Sequence, residues 1–160
     1  MEKLLEIVEK NPRLSNKEIA AMLDTTEQAV EEKIRVYEES GIIRGYRAMV
    51  DREKVTSDST VTALIEIKVQ PKFNHGFDEL AQRISTLDEV EAVYLMSGGF
   101  DLCCIVSDKS FQEVAMFVAN RLSPMDSVVS TATHFILKKY KDQGVFFTEK
   151  IKDDRGNISL

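Results

Sequence analysis

The sequence predicts an α+β protein in which a helical N-terminal domain precedes a domain of mixed strands and helices. Before Arg52, apolar residues recur at helical spacing, with a helix-capping signal at Ser15 and Glu18. From Thr60 to Gln70 they alternate strictly with polar residues, as in a half-buried strand. From that strand onward the order is strand, helix, strand, strand, helix, strand. This order predicts a ferredoxin-like βαββαβ domain, with two helices on one face of an antiparallel sheet.

The composition is that of a globular protein with room for two small domains. The chain has 160 residues, of which 43% are hydrophobic and 30% are charged. Its net charge of −6 repels nucleic acid and anionic membranes, so any contact with DNA must be local. No apolar run approaches the roughly 20 residues of a membrane span. The acidic N-terminus is unlike a signal peptide, and we therefore expect a cytoplasmic protein.

Two short helices are predicted at the start of the chain. The first spans residues 2–10. The second begins at the S-x-x-E capping box of Ser15 and Glu18, in which side chain and backbone satisfy each other's hydrogen bonds. Their apolar faces predict a small core, formed by Leu4, Leu5, Ile7, Val8, Ile19, Ala20 and Leu23.

A third helix and a short hairpin or wing are predicted next. Thr25 or Thr26 caps the helix and Gly41 stops it. Its apolar stripe is Val30, Ile34 and Tyr37. Residues 42–50 alternate loosely between apolar and polar types, as a hairpin would. The arrangement is a helix-turn-helix followed by a basic wing, in which the second helix of the motif enters the DNA major groove.

The third helix and the wing supply the candidate DNA-binding residues, which are Thr25, Thr26, Gln28, Glu31, Lys33, Arg35, Arg44 and Arg47. Residues 14–47 carry five bases and seven acids, whereas DNA-binding domains normally present a basic surface. The alternative is therefore that these acids form an ordinary solvated helix face. A glutamate can, however, accept a hydrogen bond from cytosine N4.

Changes in pattern divide the chain into four parts. Residues 1–51 are predicted to form the winged helix-turn-helix domain and residues 52–59, which are polar, a linker. Residues 60–141 form the ferredoxin-like domain, and residues 142–160 form a C-terminal tail.

The second domain is predicted to contain five elements after its first strand. They are a helix over residues 76–87, strands over 90–97 and 101–106, a helix opened by Ser110 and Glu113, and a strand over 128–140. The apolar stripe predicted for the second helix is Phe111, Val114, Ala115, Val118 and Leu122. The last strand alternates through Thr131, Thr133, Phe135 and Leu137.

The sheet face without helices is expected to carry an exposed apolar patch. Leu64, Leu95 and either Cys103 or Cys104 are predicted to lie on it. A face-to-face homodimer would cover this patch, because a twofold axis makes one patch complementary to itself. The adjacent cysteines are unsuited to a disulfide, and no ligand spacing indicates a metal site.

The segments LSNKEIAAMLDTT and EESGIIRGYRAMVD, with the Val30 and Ile34 stripe between them, resemble the Lrp/AsnC (feast/famine) transcriptional regulators. The resemblance covers all but about the last dozen residues. It implies a DNA-binding protein that responds to amino acids. It also implies a C-terminal (RAM-type) domain that dimerises through its sheets and often assembles further, to tetramers or octamers. One departure is Glu31-Glu32-Lys33, where family members usually carry arginines.

Residues 96–101 resemble the family's Gly-x-x-Asp turn, which lies beside its small-molecule pocket. The resemblance implies an effector site formed by Ser97, Gly98, Gly99, Asp101, Thr131 and Thr133. Glycines leave backbone N–H groups open to a carboxylate, and an acid can hold an ammonium group. The family often has Asp-Tyr where this chain has Gly99-Phe100. Alternatively, the glycines only turn a hairpin that Asp101 caps.

These observations favour a sequence-specific transcriptional regulator modulated by an amino acid or a related small molecule. The alternative is a metabolite-sensing or protein-interaction module with weak or lost DNA binding. No catalytic, nucleotide or cofactor motif is present, so no enzyme or cofactor is predicted. In the tail, Phe146 and Phe147 are expected to dock on a neighbouring domain or subunit, and residues 152–160 to be disordered.

Overall fold

The computed structural model describes residues 2–55, 60–70 and 76–148. The chain divides into two compact units, Met1–Met49 and Val50–Leu160. The first unit contains the three predicted helices, α1 (Lys3–Lys10), α2 (Asn16–Leu23) and α3 (Glu27–Glu39). One side of each helix is buried against the others. The buried side chains are Leu4, Val8, Ile19, Ala20, Val30 and Tyr37.

Local capping fixes where α2 and α3 begin. The Ser15 hydroxyl accepts the N–H of Glu18 at 3.2 Å, and the Glu18 carboxylate accepts the N–H of Ser15 at 2.8 Å. The Ser15 hydroxyl also donates to the Glu18 carboxylate at 2.7 Å. The bonds that this carboxylate accepts, first from the backbone N–H and then from the hydroxyl of Ser15, hold the pKa of Glu18 below its usual value. Thr26 caps α3 by accepting the N–H of Ala29 at 3.2 Å. The predicted capping box is confirmed, and Thr26 is the cap of α3.

The hairpin predicted after α3 is not formed. Gly41 ends the helix with φ of 70°, but residues 44–50 contain no strand in the described chain. The Tyr46 hydroxyl instead donates to Glu38 at 2.8 Å, which ties this segment to α3. A strand requires a hydrogen-bonded neighbour, and the loose alternation of residues 42–50 finds none in the described chain.

The second unit has the predicted βαββαβ order. Its elements are β1 (Val61–Val69), α4 (Asp78–Ser85), β2 (Val90–Leu95), β3 (Leu102–Asp108), α5 (Phe111–Phe117) and β4 (Val128–Phe135). A π-helical turn, Val118–Leu122, continues α5. The four strands form an antiparallel sheet in the order β2-β3-β1-β4. The predicted ferredoxin-like arrangement is confirmed.

The core of the second unit lies on the sheet face that carries α4 and α5. Alternation along β1 buries Ala63, Ile65, Ile67 and Val69, as predicted. The helices and the other central strand complete the cluster with Leu80, Ile84, Leu102, Cys104, Val106, Phe117, Val118 and Leu122. Alternate residues of β1 are therefore left on the other face.

Two details of the second half differ from prediction. Phe111 is 55% exposed and packs edge-on against Phe135, while Phe117 is buried in its place. The reason is that Phe117, like Val114, faces the sheet, and the π-helical turn re-aims the following residues. The last strand stops at Phe135, so Leu137 is exposed; β5 (Lys141–Asp142) and β6 (Val145–Phe146) then form a separate hairpin.

The helix-free face of the sheet is less apolar than predicted. Cys103 points to it but is only 4% exposed, with Glu66 and Tyr94 as its cross-strand partners. Cys104 is buried on the opposite face, where burial raises the pKa of its thiol to about 12. Leu95 is exposed, but it pairs with Leu102 and so belongs to the helix-bearing face. Both cysteines are free.

Two predictions lie wholly or partly outside the described residues. These are the state of residues 152–160 and the second half of the predicted linker, residues 56–59. Phe146 is exposed and Phe147 is half-buried; their docking on a neighbouring subunit stays a prediction. His134 lies 3.4 Å from a carboxylate oxygen of Glu66.

Candidate nucleic-acid interface and effector loop

The face of α3 opposite the core carries a charged cluster. Because an α-helix has 3.6 residues per turn, Gln28, Glu32, Arg35 and Glu39 lie opposite Val30, Ile34 and Tyr37, with Glu31 at the margin. All five outward residues are exposed. A helix with such an exposed face can enter the major groove of DNA.

Arg35 is held between two carboxylates on that face. Its Nε and Nη2 donate to the two oxygens of Glu32 at 3.2 and 2.6 Å, and its Nη1 donates to Glu39 at 3.0 Å. Hydrogen bonding to Glu32, with the charges of Glu32 and Glu39, raises the pKa of Arg35 above its usual value. Sequence reasoning missed this arrangement, although the spacings i−3 and i+4 are those of helical ion pairs.

The other candidates of this unit are Lys33, in the middle of α3, and Thr25 and Thr26, which directly precede that helix. Lys33 forms an ion pair with Glu2, the residue before α1. Thr25 lies in the turn, where its N–H donates to the carbonyl of Ala20 at 3.0 Å. Thr25 and Lys33 line a cleft of about 300 Å³ between α1 and α3. The Thr26 hydroxyl is occupied by its capping bond.

The two arginines of the predicted wing are exposed after α3. The Arg44 guanidinium lies over Gly41, where a Cβ would be 3.1 Å from its Cζ. Glycine at position 41 therefore allows the left-handed conformation that ends the helix, and its missing side chain leaves room for Arg44. The structure thus groups Gln28, Glu31 and Arg35 on one helical face and places Arg44 and Arg47 beyond its C-terminal end.

In the second unit, the candidate effector loop is anchored by Asp101. Its carboxylate accepts the N–H of Val69 at 2.8 Å, and its own N–H donates to the carbonyl of Ile67 at 3.1 Å. The N–H of Met96 donates to the Asp101 carbonyl at 2.8 Å and closes the loop. Asp101 therefore ties the loop to the end of β1, as the alternative interpretation of this residue requires.

The loop itself is open. Gly98 has φ of 145°, which favours glycine, and a Cβ there would meet no atom within 4 Å. Ser97 and Gly99 are also exposed. Their backbone groups are accessible to a small anionic ligand.

Thr131 and Thr133 lie on the helix-bearing side of β4, opposite Ile67 and Ile65. Ile67 pairs with Thr131 on one side and accepts the N–H of Asp101 on the other. The backbones of Thr131 and Asp101 are therefore about two strand spacings, roughly 10 Å, apart. The structure brings Ser97, Gly98, Gly99, Asp101 and Thr131 to the same end of the sheet, and Thr133 lies further along the strand. Ser123, whose hydroxyl lies 3.4 Å from that of Thr131, carries no sequence signal that would have identified it.

The described ranges contain neither a metal-binding cluster nor a membrane-spanning helix. No group of three or more His, Cys, Asp and Glu side chains there could hold a metal ion. Among the same residues, no helix is long and apolar enough to cross a membrane.

Two family models match the chain, one in each unit. A winged helix-turn-helix DNA-binding model matches residues 2–44, and the Lrp/AsnC ligand binding domain matches residues 62–146. The chain is 46% identical over 156 residues to the uncharacterised HTH-type transcriptional regulator YugG of Bacillus subtilis, covering 98% of this chain and 94% of that one. It is 26% identical to the regulator LrpA of Pyrococcus horikoshii, covering 86% and 94%.

Solved structures share the fold. Bacillus subtilis LrpC is 27% identical and superposes with a TM-score of 0.64 over 86% of this chain and 92% of that chain. A transcriptional regulator of Neisseria meningitidis, solved as a complex with L-Met, is 20% identical with a TM-score of 0.72, covering 89% and 93%.

Proposed function

The chain belongs to the Lrp/AsnC family of transcriptional regulators and combines a DNA-binding helix-turn-helix with a ligand-binding domain; we propose how its residues serve these two roles. The outward face of α3 reads bases in the major groove. An amino acid or related small molecule binds at the loop of residues 96–101 and shifts the assembly of subunits, which changes the DNA sites that can be spanned together.

The proposal for DNA reading is carried by the geometry of α3. Its apolar side is buried, Thr26 caps its start, and Gln28, Glu31 and Arg35 project from the exposed side. Thr25, Lys33, Arg44 and Arg47 are proposed to contact phosphates around that face. The alternative of a module that has lost DNA binding is not favoured, because the winged helix-turn-helix model matches residues 2–44.

The proposal for effector binding rests on the open loop beside Asp101. Its glycine N–H groups suit a carboxylate, and the Asp101 carboxylate suits an ammonium group. Thr131 and Thr133 would supply hydroxyls from β4. The L-Met complex of the Neisseria relative supports an amino acid as the ligand class.

The proposed assembly begins with a homodimer through the helix-free face of the sheet and continues to a tetramer or octamer. That face carries half-buried Leu64 and Ile105, side by side on the central strands. We retain the division into residues 1–51, 52–59, 60–141 and 142–160 as a proposal, and the cytoplasm as the compartment where the protein meets DNA.

The test is fluorescence anisotropy of the full chain with a labelled duplex from upstream of its own gene, at low and near-physiological salt. A scrambled duplex of the same composition is the control. Nanomolar binding that prefers the native sequence and weakens with salt is expected. A folded oligomer that binds neither duplex, with or without amino acids, would overturn the proposal.

A further inference from the structure

The ion-paired cluster on α3 has an unusual charge for a DNA-reading surface. Glu32, Arg35 and Glu39 together carry a net charge of −1, with the cation placed between the two anions. A phosphate that approaches Arg35 therefore meets two carboxylates as well as the guanidinium. Like charges near the surface repel within about 10 Å at 0.1 M salt, so the cluster opposes contacts with the DNA backbone.

A base edge differs from a phosphate because it is neutral. Arginine has five N–H donors, and the pairs with Glu32 and Glu39 use three of them. The remaining donors can reach guanine O6 or N7, while a neighbouring carboxylate can accept from cytosine N4. A donor beside an acceptor is the pattern that complements a G·C pair in the major groove.

The cluster is also preorganised. Glu32 holds two nitrogens of Arg35 from one turn before it, and Glu39 holds a third from one turn after it. A side chain already restrained in this way loses less rotamer freedom when it binds. The restraint favours a partner whose acceptors match its geometry over one that offers charge alone.

We propose that Glu32 and Glu39 are specificity-determining residues, which direct Arg35 to a G·C base pair and prevent it from serving as a non-specific phosphate contact. This inference rests on the proposed role of α3 in reading DNA. It explains why an acidic helix occupies a DNA-binding motif: the acids reduce affinity for all DNA but reduce it more for the wrong sequence.

The experiment compares Glu32→Gln with Glu27→Gln in the full-length protein. Both changes remove one negative charge from α3, but Glu27 lies in its first turn and has no contact with Arg35 in the described structure. The probes are a duplex enriched by the wild-type protein from a random library and a shuffled duplex of the same composition. Affinity is measured by anisotropy over a series of salt concentrations.

Glu32→Gln is expected to raise affinity for the shuffled duplex about tenfold and affinity for the enriched duplex less than about threefold. The slope of log K against log salt on the shuffled duplex should steepen by about 0.9, the value for one additional phosphate neutralised. Glu27→Gln should raise both affinities by the same small factor, with the same small change in slope on each duplex. Arg35→Gln should abolish the preference for one G·C pair of the enriched site. The ratio of affinities for that pair and for its replacements should fall by about tenfold or more.

Three results would overturn the inference, and they are distinguishable. If Glu32→Gln behaves like Glu27→Gln on both duplexes, the acids are ordinary surface charges. If the wild type binds selectively but Arg35→Gln keeps every base preference, the cluster does not read DNA. If no sequence is enriched from the library, the proposed reading of DNA by α3 fails with it.

Discussion

Tyr37 is a buried residue with an unsatisfied polar atom. Its side chain packs in the core of the N-terminal unit and is 7% exposed, yet its hydroxyl has no hydrogen-bond partner in the described part of the chain. Leaving a buried hydroxyl unsatisfied costs about 1–3 kcal/mol. Tyr37→Phe is therefore expected to raise the free energy of unfolding of this unit by about 1 kcal/mol, measured by urea unfolding.

Tyr46→Phe is the matched control, because it removes the same atom from an exposed ring that does have a partner, Glu38. It should leave stability unchanged or slightly lower. A loss of stability in Tyr37→Phe would show that a bound water satisfies the hydroxyl.

Asp101 combines a structural bond with a proposed ligand contact, and two substitutions separate them. Asp101→Asn keeps an oxygen that can accept the N–H of Val69 but loses the charge proposed to hold an ammonium group. The ligand for this test is whichever of the twenty L-amino acids binds the wild type most tightly. In Asp101→Asn we expect thermal stability to be kept, while affinity for that amino acid falls about tenfold. Asp101→Ala should lower both the thermal stability and the affinity. Unchanged affinity in Asp101→Asn, measured by calorimetry, would reduce Asp101 to a cap of the loop.

At the scale of the element, the start of α2 depends on one side chain. Ser15→Ala removes the hydroxyl that accepts the N–H of Glu18 and donates to its carboxylate at 2.7 Å. The expected loss is about 1 kcal/mol of stability at neutral pH, measured by denaturant unfolding. Because the pKa of Glu18 lies below its ordinary value of 4.5, its contribution is complete above that pH and is lost as the pH falls through the folded-state pKa.

The difference between Ser15→Ala and wild type should therefore shrink as the pH falls below 4.5, the ordinary pKa of this carboxyl group. The helix cap of α5 offers a comparison, since Ser110 accepts the N–H of Glu113 at 3.1 Å. A difference that is independent of pH would show that the bond from the Ser15 hydroxyl to the Glu18 carboxylate does not stabilise the cap, because Ser15→Ala keeps the bond from the backbone N–H.

Helices and strands that bury one side in the core of their own unit were predictable from the sequence. Burial of one side produces the alternation of β1 and the apolar stripe of α3, so apolar spacing identified both. The segment after α3 and the end of the last strand were not predictable in this way. Residues 42–50 have an alternating pattern without a paired strand, and the turn at Gln143 and Gly144, with φ of 43° and 85°, starts a hairpin that apolar spacing did not show.

The same distinction separates the candidate site residues that were predictable from those that were not. Helical periodicity placed Gln28 and Arg35 on an exposed face, because one helix fixes their relation. The pairing of Thr131 with Ile67, and its contact with Ser123, depend on which strands become neighbours. Strand order is a property of the whole sheet, so these relations required the structure.

At the scale of the whole molecule, the proposed dimer can be tested on the central strand β1. Leu64 lies on the helix-free face between Ile105 and His134. Leu64→Glu would place an unpaired carboxylate in a face-to-face interface, and burying such a charge costs several kcal/mol. We expect the dimer dissociation constant to rise at least about 100-fold, measured by sedimentation velocity.

Met22→Glu makes the same kind of change at an exposed position of α2 and should leave the assembly intact. The domain of Leu64→Glu should stay folded, because half-buried Leu64 lies outside the buried core. A folded variant that still sediments as the wild-type assembly would show that subunits meet through another surface. The effector loop would then have to act on that surface, because a ligand shifts assembly only through a difference in affinity between the assembled and separate states.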